Sequence, residues 1–250
     1  MMTNRSVEIT VLFNNVAQDP AVQTAWGFSC LIEGLSQTVL FDTGGDGHIL
    51  LGNMACLGKD PAAIDIIMIS HKHWDHLGGL FTFLRQARKG VDIYFPKAVT
   101  ARFREHAALL GAKPHVVDEA PAEILDGLLS IGQMGGPDLV EDRREQSIVL
   151  RGANGSVLIT GCAHPGIVAI ARRAREVGRA PLHMVLGGFH LLDTEEPALS
   201  GVIGELKDLG IEYLGASHCT GAKQMNAFRA MWGDRFVDFG AGGRIRVDVV

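Results

Sequence analysis

Between residues 71 and 76 the chain reads His71-Lys72-His73-Trp74-Asp75-His76, directly after the apolar run Ile64-Asp65-Ile66-Ile67-Met68-Ile69. Three imidazoles and a carboxylate within six residues are costly to gather without a purpose, and a metal is the usual purpose. Imidazole and carboxylate donors suit zinc, iron or manganese better than calcium or magnesium. Zinc is expected first, as one or two ions, with manganese, iron or magnesium as alternatives.

The spacing adds to this. His71 and His73 are two apart, so in an extended segment both side chains point to one side and can share a metal. Asp75 and His76 are adjacent and point differently, which suits a second metal. Gly78-Gly79 then permits a tight turn into Leu80-Phe81-Thr82-Phe83-Leu84-Arg85, a pattern that suits a helix start.

Three more histidines follow apolar runs and small residues. They are His164 in Gly161-Cys162-Ala163-His164-Pro165-Gly166, His190 in Gly187-Gly188-Phe189-His190, and His218 in Ser217-His218-Cys219-Thr220-Gly221. Ligand sites in α/β proteins gather on loops at strand ends. His164 and His218 are therefore expected as metal ligands. His190 is expected in the site as a ligand, a support or a substrate contact, and with Asp75 it is a candidate catalytic residue. His48, His106, His115 and His183 lie in helical or strand patterns and are expected to be structural.

These residues need elements to hold them. Strands are expected at Val7–Phe13, Phe28–Glu33, Thr38–Phe41, 64–69, Val91–Phe95, 115–118 and within Ile124–Ile131. Helices are expected at 46–57, 77–89 and 97–110, and Gly135-Gly136-Pro137 reads as a turn. Ala153-Asn154-Gly155 between Ser147–Arg151 and Ser156–Thr160 signals a hairpin. Helices at 165–177, 198–209 and 221–232 alternate with strands at His183–Leu186 and Ile211–Gly215. Phe236–Phe239 and Arg244–Val249 read as closing strands. This pattern predicts one α/β domain over 1–250, a sandwich of two roughly duplicate halves, about 1–133 and 134–250.

At 250 residues with 47% hydrophobic content, the chain suits one large domain with an ample core. The net charge of −5 argues against nucleic acid as a main partner. No apolar run approaches the ~18 residues of a membrane span. The N-terminus lacks the apolar stretch of a signal peptide, so a cytoplasmic protein with a small-molecule substrate is expected; the oligomeric state is left open. Cys30, Cys56, Cys162 and Cys219 are scattered and are expected to be reduced thiols. Many glycines sit beside functional residue types, as in Thr43-Gly44-Gly45 and Leu186-Gly187-Gly188, where they permit unusual loop dihedrals.

His71, His73, Asp75 and His76 match the His-x-His-x-Asp-His signature in full, and the chain resembles the metallo-β-lactamase superfamily. That resemblance implies a four-layer αββα sandwich with the metals at one sheet edge. It implies that Asp42, in Leu40-Phe41-Asp42-Thr43-Gly44, supports the histidine loop from behind. Many members carry a metal-bridging Asp after a strand of the second half. The matching slot here is Gly161-Cys162, so Cys162 is either a thiolate ligand or inert packing. Superfamily members with a single iron, the persulfide dioxygenases, also use the signature. The segments Ala25–Glu33, Ser70–Leu80, Gly161–Val168, Gly187–Leu192 and His218–Gly221 are similar to one branch. It is the branch of 7,8-dihydropterin-6-yl-methyl-4-(β-D-ribofuranosyl)aminobenzene 5′-phosphate synthase and its relatives.

The expected function is a metal-dependent hydrolase that uses a metal-bound hydroxide on an ester or phosphate-type small molecule. His71, His73 and His164 would hold one metal, and Asp75, His76 and His218 a second. The branch resemblance implies an alternative, a transferase that releases diphosphate. A third reading is a non-catalytic, metal-stabilised module. Trp26, Trp74 or Phe189 can stack on a flat ring, although single aromatics are more often core. Arg143-Arg144 and Arg172-Arg173 can bind phosphate, although such runs are more often solvated.

Overall fold

The apolar run before the histidine motif divides its side chains between two cores. A computed structural model, which describes residues 5–135 and 143–249, places Ile66–Met68 in strand β4. Ile66 and Met68 pack between two layers of sheet, while Ile67 and Ile69 face a layer of helices. Alternation of this kind follows from the two-residue period of a strand. It explains why Ile66–Ile69 is apolar throughout: both faces are covered.

The same division recurs in both halves. Strand β1 (Arg5–Phe13) sends Val7, Ile9 and Val11 into the core between the sheet layers. A register shift between Val11 and Phe13 then turns Leu12 and Phe13 toward the helices. Strands β2 (Ser29–Glu33) and β3 (Val39–Phe41) follow, then helix α1 (Gly47–Cys56), whose first turn is capped by Asp46. After β4 come the short helices α2 (Trp74–Leu77) and α3 (Leu80–Leu84). Strand β5 (Asp92–Pro96), helix α4 (Ala101–Leu109) and the edge strand β6 (Lys113–Val117) complete this side. Lys113 and Pro114 lie on that exposed edge, a composition that discourages pairing with another chain.

Strands β7 (Ala122–Leu125) and β8 (Leu128–Ser130) form a hairpin that pairs with β9 (Ile148–Gly152). Strand β10 (Gly155–Thr160), helix α5 (Ile167–Gly178), β11 (Leu182–Gly188), α6 (Ala198–Asp208), β12 (Tyr213–Ser217), α7 (Ala222–Trp232) and β13 (Arg244–Val249) follow. The strands join in one mixed sheet in the order β12-β11-β10-β9-β13-β1-β2-β3-β4-β5-β6. Its two ends fold over one another. Residues from β1–β4 and from β8–β13 share the middle core, α5, α6 and α7 cover one outer face, and α1, α3 and α4 cover the other. The architecture is the expected αββα layering. Each fully buried Ile, Leu or Phe in these cores contributes about 1.5–3 kcal/mol, so the packing does not depend on the polar site.

Three sequence expectations are corrected. The helix expected over 77–89 is broken into α2 and α3, because Gly78 and Gly79 press against the neighbouring loop. A Cβ on Gly79 would lie 2.2 Å from the Thr43 carbonyl oxygen. The span Ile124–Ile131 is interrupted at Asp126-Gly127, where Gly127 has φ +83°, so it is part of a hairpin. Phe236–Phe239 is not a strand: its sheet contact is a single bridge from Phe236 to Leu214. Phe239 enters the middle core while Asp238 turns outward to Arg229. Of the turn Gly135-Gly136-Pro137, only Gly135 lies within the described residues.

Candidate metal centre

Parallel strands bring their C-terminal ends to one edge. Strands β3 and β4 run in register through Phe41 and Met68, which places Asp42 beside the start of the histidine loop. Strands β10, β11 and β12 are likewise parallel, through Thr160 with Gly187 and Gly187 with Ala216. The loops after them carry His164, His190 and His218 to the same place. Among the described residues five non-glycine positions have positive φ, and four are here: Asp42, Ala163, His190 and His218. Such backbone costs of order 1–3 kcal/mol per residue and persists only where surrounding contacts enforce it.

Those contacts are a set of oxygens that grip the outer nitrogens of the imidazoles. His76 Nδ1 lies 2.7 Å from Asp42 Oδ2, His164 Nδ1 3.0 Å from Glu145 Oε2, and His218 Nδ1 3.1 Å from Asn15 Oδ1. Ser70 donates its hydroxyl to Asp42 Oδ2 at 2.7 Å, which leaves its oxygen to accept from His71 Nδ1 at 2.9 Å. Asp42 Oδ1 also accepts the Ser70 backbone N–H at 2.6 Å. Each of these rings is thereby fixed with Nε2 free to face inward, the usual way a protein orients metal-ligating histidines.

The inward atoms converge. His76 Nε2 is 3.2 Å from both His218 Nε2 and Cys162 Sγ. Asp75 Oδ2 is 3.3 Å from His218 Nε2 and 3.6 Å from His76 Nε2. A tetrahedral ion with bonds of about 2.0–2.1 Å needs ligand atoms about 3.3 Å apart, so this spacing fits zinc. Candidate ligand atoms of His71, Cys162 and His164, and again of His71, His73 and Asp75, lie within 4.8 Å of one another. His71 Nε2 is buried with no hydrogen-bond partner. An orphaned buried nitrogen costs about 1–3 kcal/mol, and a cation in the cluster would satisfy it. The residues present therefore fit a metal.

Electrostatics follow from burial and pairing. Burial pushes His218 down to about 4 against the pull of Asp75. His71 is likewise held well below the ordinary imidazole value by burial and by the nearby His76. His76 is the exception: burial lowers it, but the Asp42 carboxylate, assisted by Asp75, raises it to about 9. Burial raises Asp42, with His76 and Ser70 opposing. Asp75 and Glu145 lie well below the usual carboxylate range despite burial, because histidines hydrogen-bond to them.

The predicted residues His71, His73, Asp75, His76, Cys162, His164 and His218 thus form one cluster, with Asp42 behind it. His190 stands at the rim, its ring 4.4 Å from that of His164. His106 stacks on Phe81, His115 pairs with Asp92 and His183 with Glu212, all away from the cluster. His48 is exposed at the start of α1. Phe189 is core, packed edge-on against Phe228, so it is not available for stacking. Arg172 and Arg173 pair with Glu205 and Glu176.

Glu145 is the residue that sequence reasoning missed. Its Oε1 accepts the backbone N–H groups of Gly161, Cys162 and Ala163 at 3.2, 2.8 and 3.0 Å. Its Oε2 accepts from both the backbone and the ring of His164. In sequence it lies in the polar run Asp142-Arg143-Arg144-Glu145-Gln146, which reads as solvated loop. Nothing local marks it. Asn15 was missed for the same reason, and Ser70 was missed although it adjoins His71.

The cluster opens into a cleft of about 350 Å³ that also reaches Trp26, Trp74 and Cys219. A contiguous cavity of about 320 Å³ shares Trp26, His190 and Cys219 and extends past Leu192. Larger cavities of about 390 and 430 Å³ lie away from the histidines, so chemistry rather than size locates the site.

The family described as "Beta-lactamase superfamily domain" matches residues 37–133, which include Asp42 and the whole histidine motif. The crystal structure of Tm1679, described as a metal-dependent hydrolase of the beta-lactamase superfamily, aligns with TM-score 0.78 and 27% identity. The alignment covers 96% of this chain and 98% of that one. The chain has the metallo-β-lactamase fold, and its residues 37–133 match that superfamily's domain.

Within the metallo-β-lactamase superfamily the fold is shared at low identity too. The protein YhfI from Bacillus subtilis aligns with TM-score 0.70 at 13% identity, covering 96% of this chain and 99% of that one. A Methanocaldococcus jannaschii relative is 29% identical over 265 residues, 88% of this chain and 89% of that protein. It is a 7,8-dihydropterin-6-methyl-4-(β-D-ribofuranosyl)-aminobenzene-5′-phosphate synthase. The metallo-β-lactamase fold here contains, among the described residues, no helix long and apolar enough to cross a membrane.

Proposed function

We propose that this protein is a metal-dependent hydrolase of an ester or phosphate-type small molecule, with a dinuclear centre. His71, His73 and His164 hold one metal, and Asp75, His76 and His218 hold the other. The observation that carries this reading is the convergence of inward-facing imidazole nitrogens on the floor of an open cleft. A closed, structural zinc site would favour cysteine ligands and leave no open side. A divalent cation in the centre supplies Lewis acidity, polarising the bond under attack and making water acidic near neutral pH.

The chain's own groups have distinct tasks. Asp75 is nearly buried yet lines the cleft, where it orients the attacking group or takes its proton. His190 is exposed at the rim, where partial desolvation together with His164 lowers its proton affinity. It stands ready to accept or donate a proton on the leaving-group side.

A second reading, a transferase that releases diphosphate, is favoured by Trp74 and Trp26. They are 62% and 40% exposed beside the centre, unusual for the largest apolar side chains, and offer flat surfaces to an aromatic substrate. The similarity to the M. jannaschii synthase supports the same reading.

Zinc-loaded protein incubated with simple esters, phosphodiesters and a dihydropterin diphosphate separates the two. Hydrolysis in water alone is expected for the hydrolase. Diphosphate release that requires an aromatic amine acceptor would replace that reading with the transferase. Absence of bound metal in protein purified without chelator, and after zinc addition, would overturn both.

A further inference from the structure

The sulfur of Cys162 lies within reach of two sets of candidate ligand atoms. It lies in the candidate group of Asp75, His76 and His218, and also in the group of His71 and His164. His71 and Asp75 also belong to two groups each, but both groups of His71 contain a ligand of the same proposed metal, His164 or His73, and a carboxylate can divide its two oxygens. Cysteine has a single donor atom, so one sulfur faces both sets. Its backbone is held rigidly, with the Cys162 N–H donated to Glu145 Oε1 at 2.8 Å and the loop continuing into His164.

Charge points the same way. Five imidazoles and Asp75 would offer two divalent cations a single negative charge in direct contact. Asp42 and Glu145 stand behind the rings. Two dications a few ångströms apart repel strongly in a buried site, and an anionic atom between them offsets that repulsion best. Cys162 is the remaining residue in the cluster that can supply one. The buried, unpartnered His71 Nε2 marks the adjoining position as one that needs an ion.

We propose that Cys162 Sγ is a shared ligand of the two metals, a bridging thiolate in this centre. The inference rests on the dinuclear reading above and deepens it. On loading, the Cys162 S–H bond breaks and metal–sulfur bonds form; the proton leaves to solvent, and nothing is oxidised or reduced. Cys219, whose thiol donates to the Cys162 carbonyl oxygen at 3.5 Å and also contacts the Cys162 thiol, is a neighbour that takes no metal.

Cobalt(II) titrated anaerobically into chelator-stripped, reduced protein tests this, because thiolate–cobalt bonds absorb in the near ultraviolet and imidazole–cobalt bonds do not. The expected result is a charge-transfer band that grows through two equivalents. It should be lost in Cys162→Ser and kept in Cys219→Ser. Cys162→Asp should bind two cobalt ions without the band, which guards against loss of folding in the serine variant. Two bound ions with no band, a band that saturates at one equivalent, or a band that survives Cys162→Ser would overturn the bridge and leave the dinuclear reading standing. Failure to bind cobalt at all would overturn both.

Discussion

Glu145 and His164 are joined twice. The same carboxylate oxygen accepts the His164 backbone N–H and its ring Nδ1, each at 3.0 Å. Asp42 does the equivalent on the other side, taking the Ser70 N–H with one oxygen and the His76 ring with the other. Each half of the site therefore has a buried carboxylate that clamps a loop and aims a histidine. Glu145→Gln keeps the size of the side chain but has one carbonyl acceptor for five N–H contacts. We expect zinc affinity to fall about 10- to 100-fold, the usual loss when the partner of a ligating histidine is removed. Competition against a chromogenic chelator measures it, and unchanged affinity would deny Glu145 this role.

Asp75 carries more than charge. Asp75→Asn preserves shape while removing the group proposed to handle a proton, so turnover should drop by about 10²- to 10⁴-fold. Metal content measured by elemental analysis separates loss of chemistry from loss of metal. Full activity in this variant would remove Asp75 from the mechanism.

Chelation should weaken the fold without abolishing it. Three apolar cores hold the layers together, and none depends on the histidine cluster. Circular dichroism of the stripped protein should keep its native spectrum and melt at a lower temperature. Complete unfolding on chelation would favour the metal-stabilised, non-catalytic module.

The metal-free protein should be most stable near pH 6.5. His218 in the folded state holds its proton only below about 4, so between pH 6.5 and that value the unfolded chain binds more protons, and stability falls as pH falls. His76 keeps its proton up to about 9, so the folded chain binds more protons between pH 6.5 and 9, and stability falls as pH rises. Melting temperature against pH in excess chelator reads both limbs. His76→Asn should remove the alkaline one; an alkaline limb that persists would assign it elsewhere.

Gly161 leaves no room for a side chain. A Cβ there would sit 2.3 Å from Ser70 Oγ and 3.1 Å from Asp42 Oδ2, in the middle of the network that orients His71 and His76. Gly161→Ala should cost about 1–3 kcal/mol, as overpacking of a filled interior does. Urea denaturation of both proteins in chelator gives the difference, and stability equal to the parent would show that the loop can move aside.

The local chemistry was legible in the chain. His71, His73, Asp75 and His76 lie together just past the end of one strand, and their spacing alone pointed to a metal. Period-two runs marked most strands, because a strand buried on one or both faces imprints that pattern on its own residues. Small residues before His164, His190 and His218 placed these at strand ends as well. The broken helix after the motif and the lost strand at Phe236–Phe239 were hidden. They depend on how closely Gly79 meets Thr43 and on where Phe239 is drawn, and neither contact is local. Glu145 and Asn15 were hidden for the same reason. A hydrogen bond between residues 203 apart, as between Asn15 and His218, leaves no mark on either neighbourhood. Sequence determined which loops carry the ligands, since residue type and spacing follow from local geometry. Only the tertiary structure decided which oxygen holds each imidazole and that one sulfur faces both groups, because parallel strands distant in the chain must first meet at one edge.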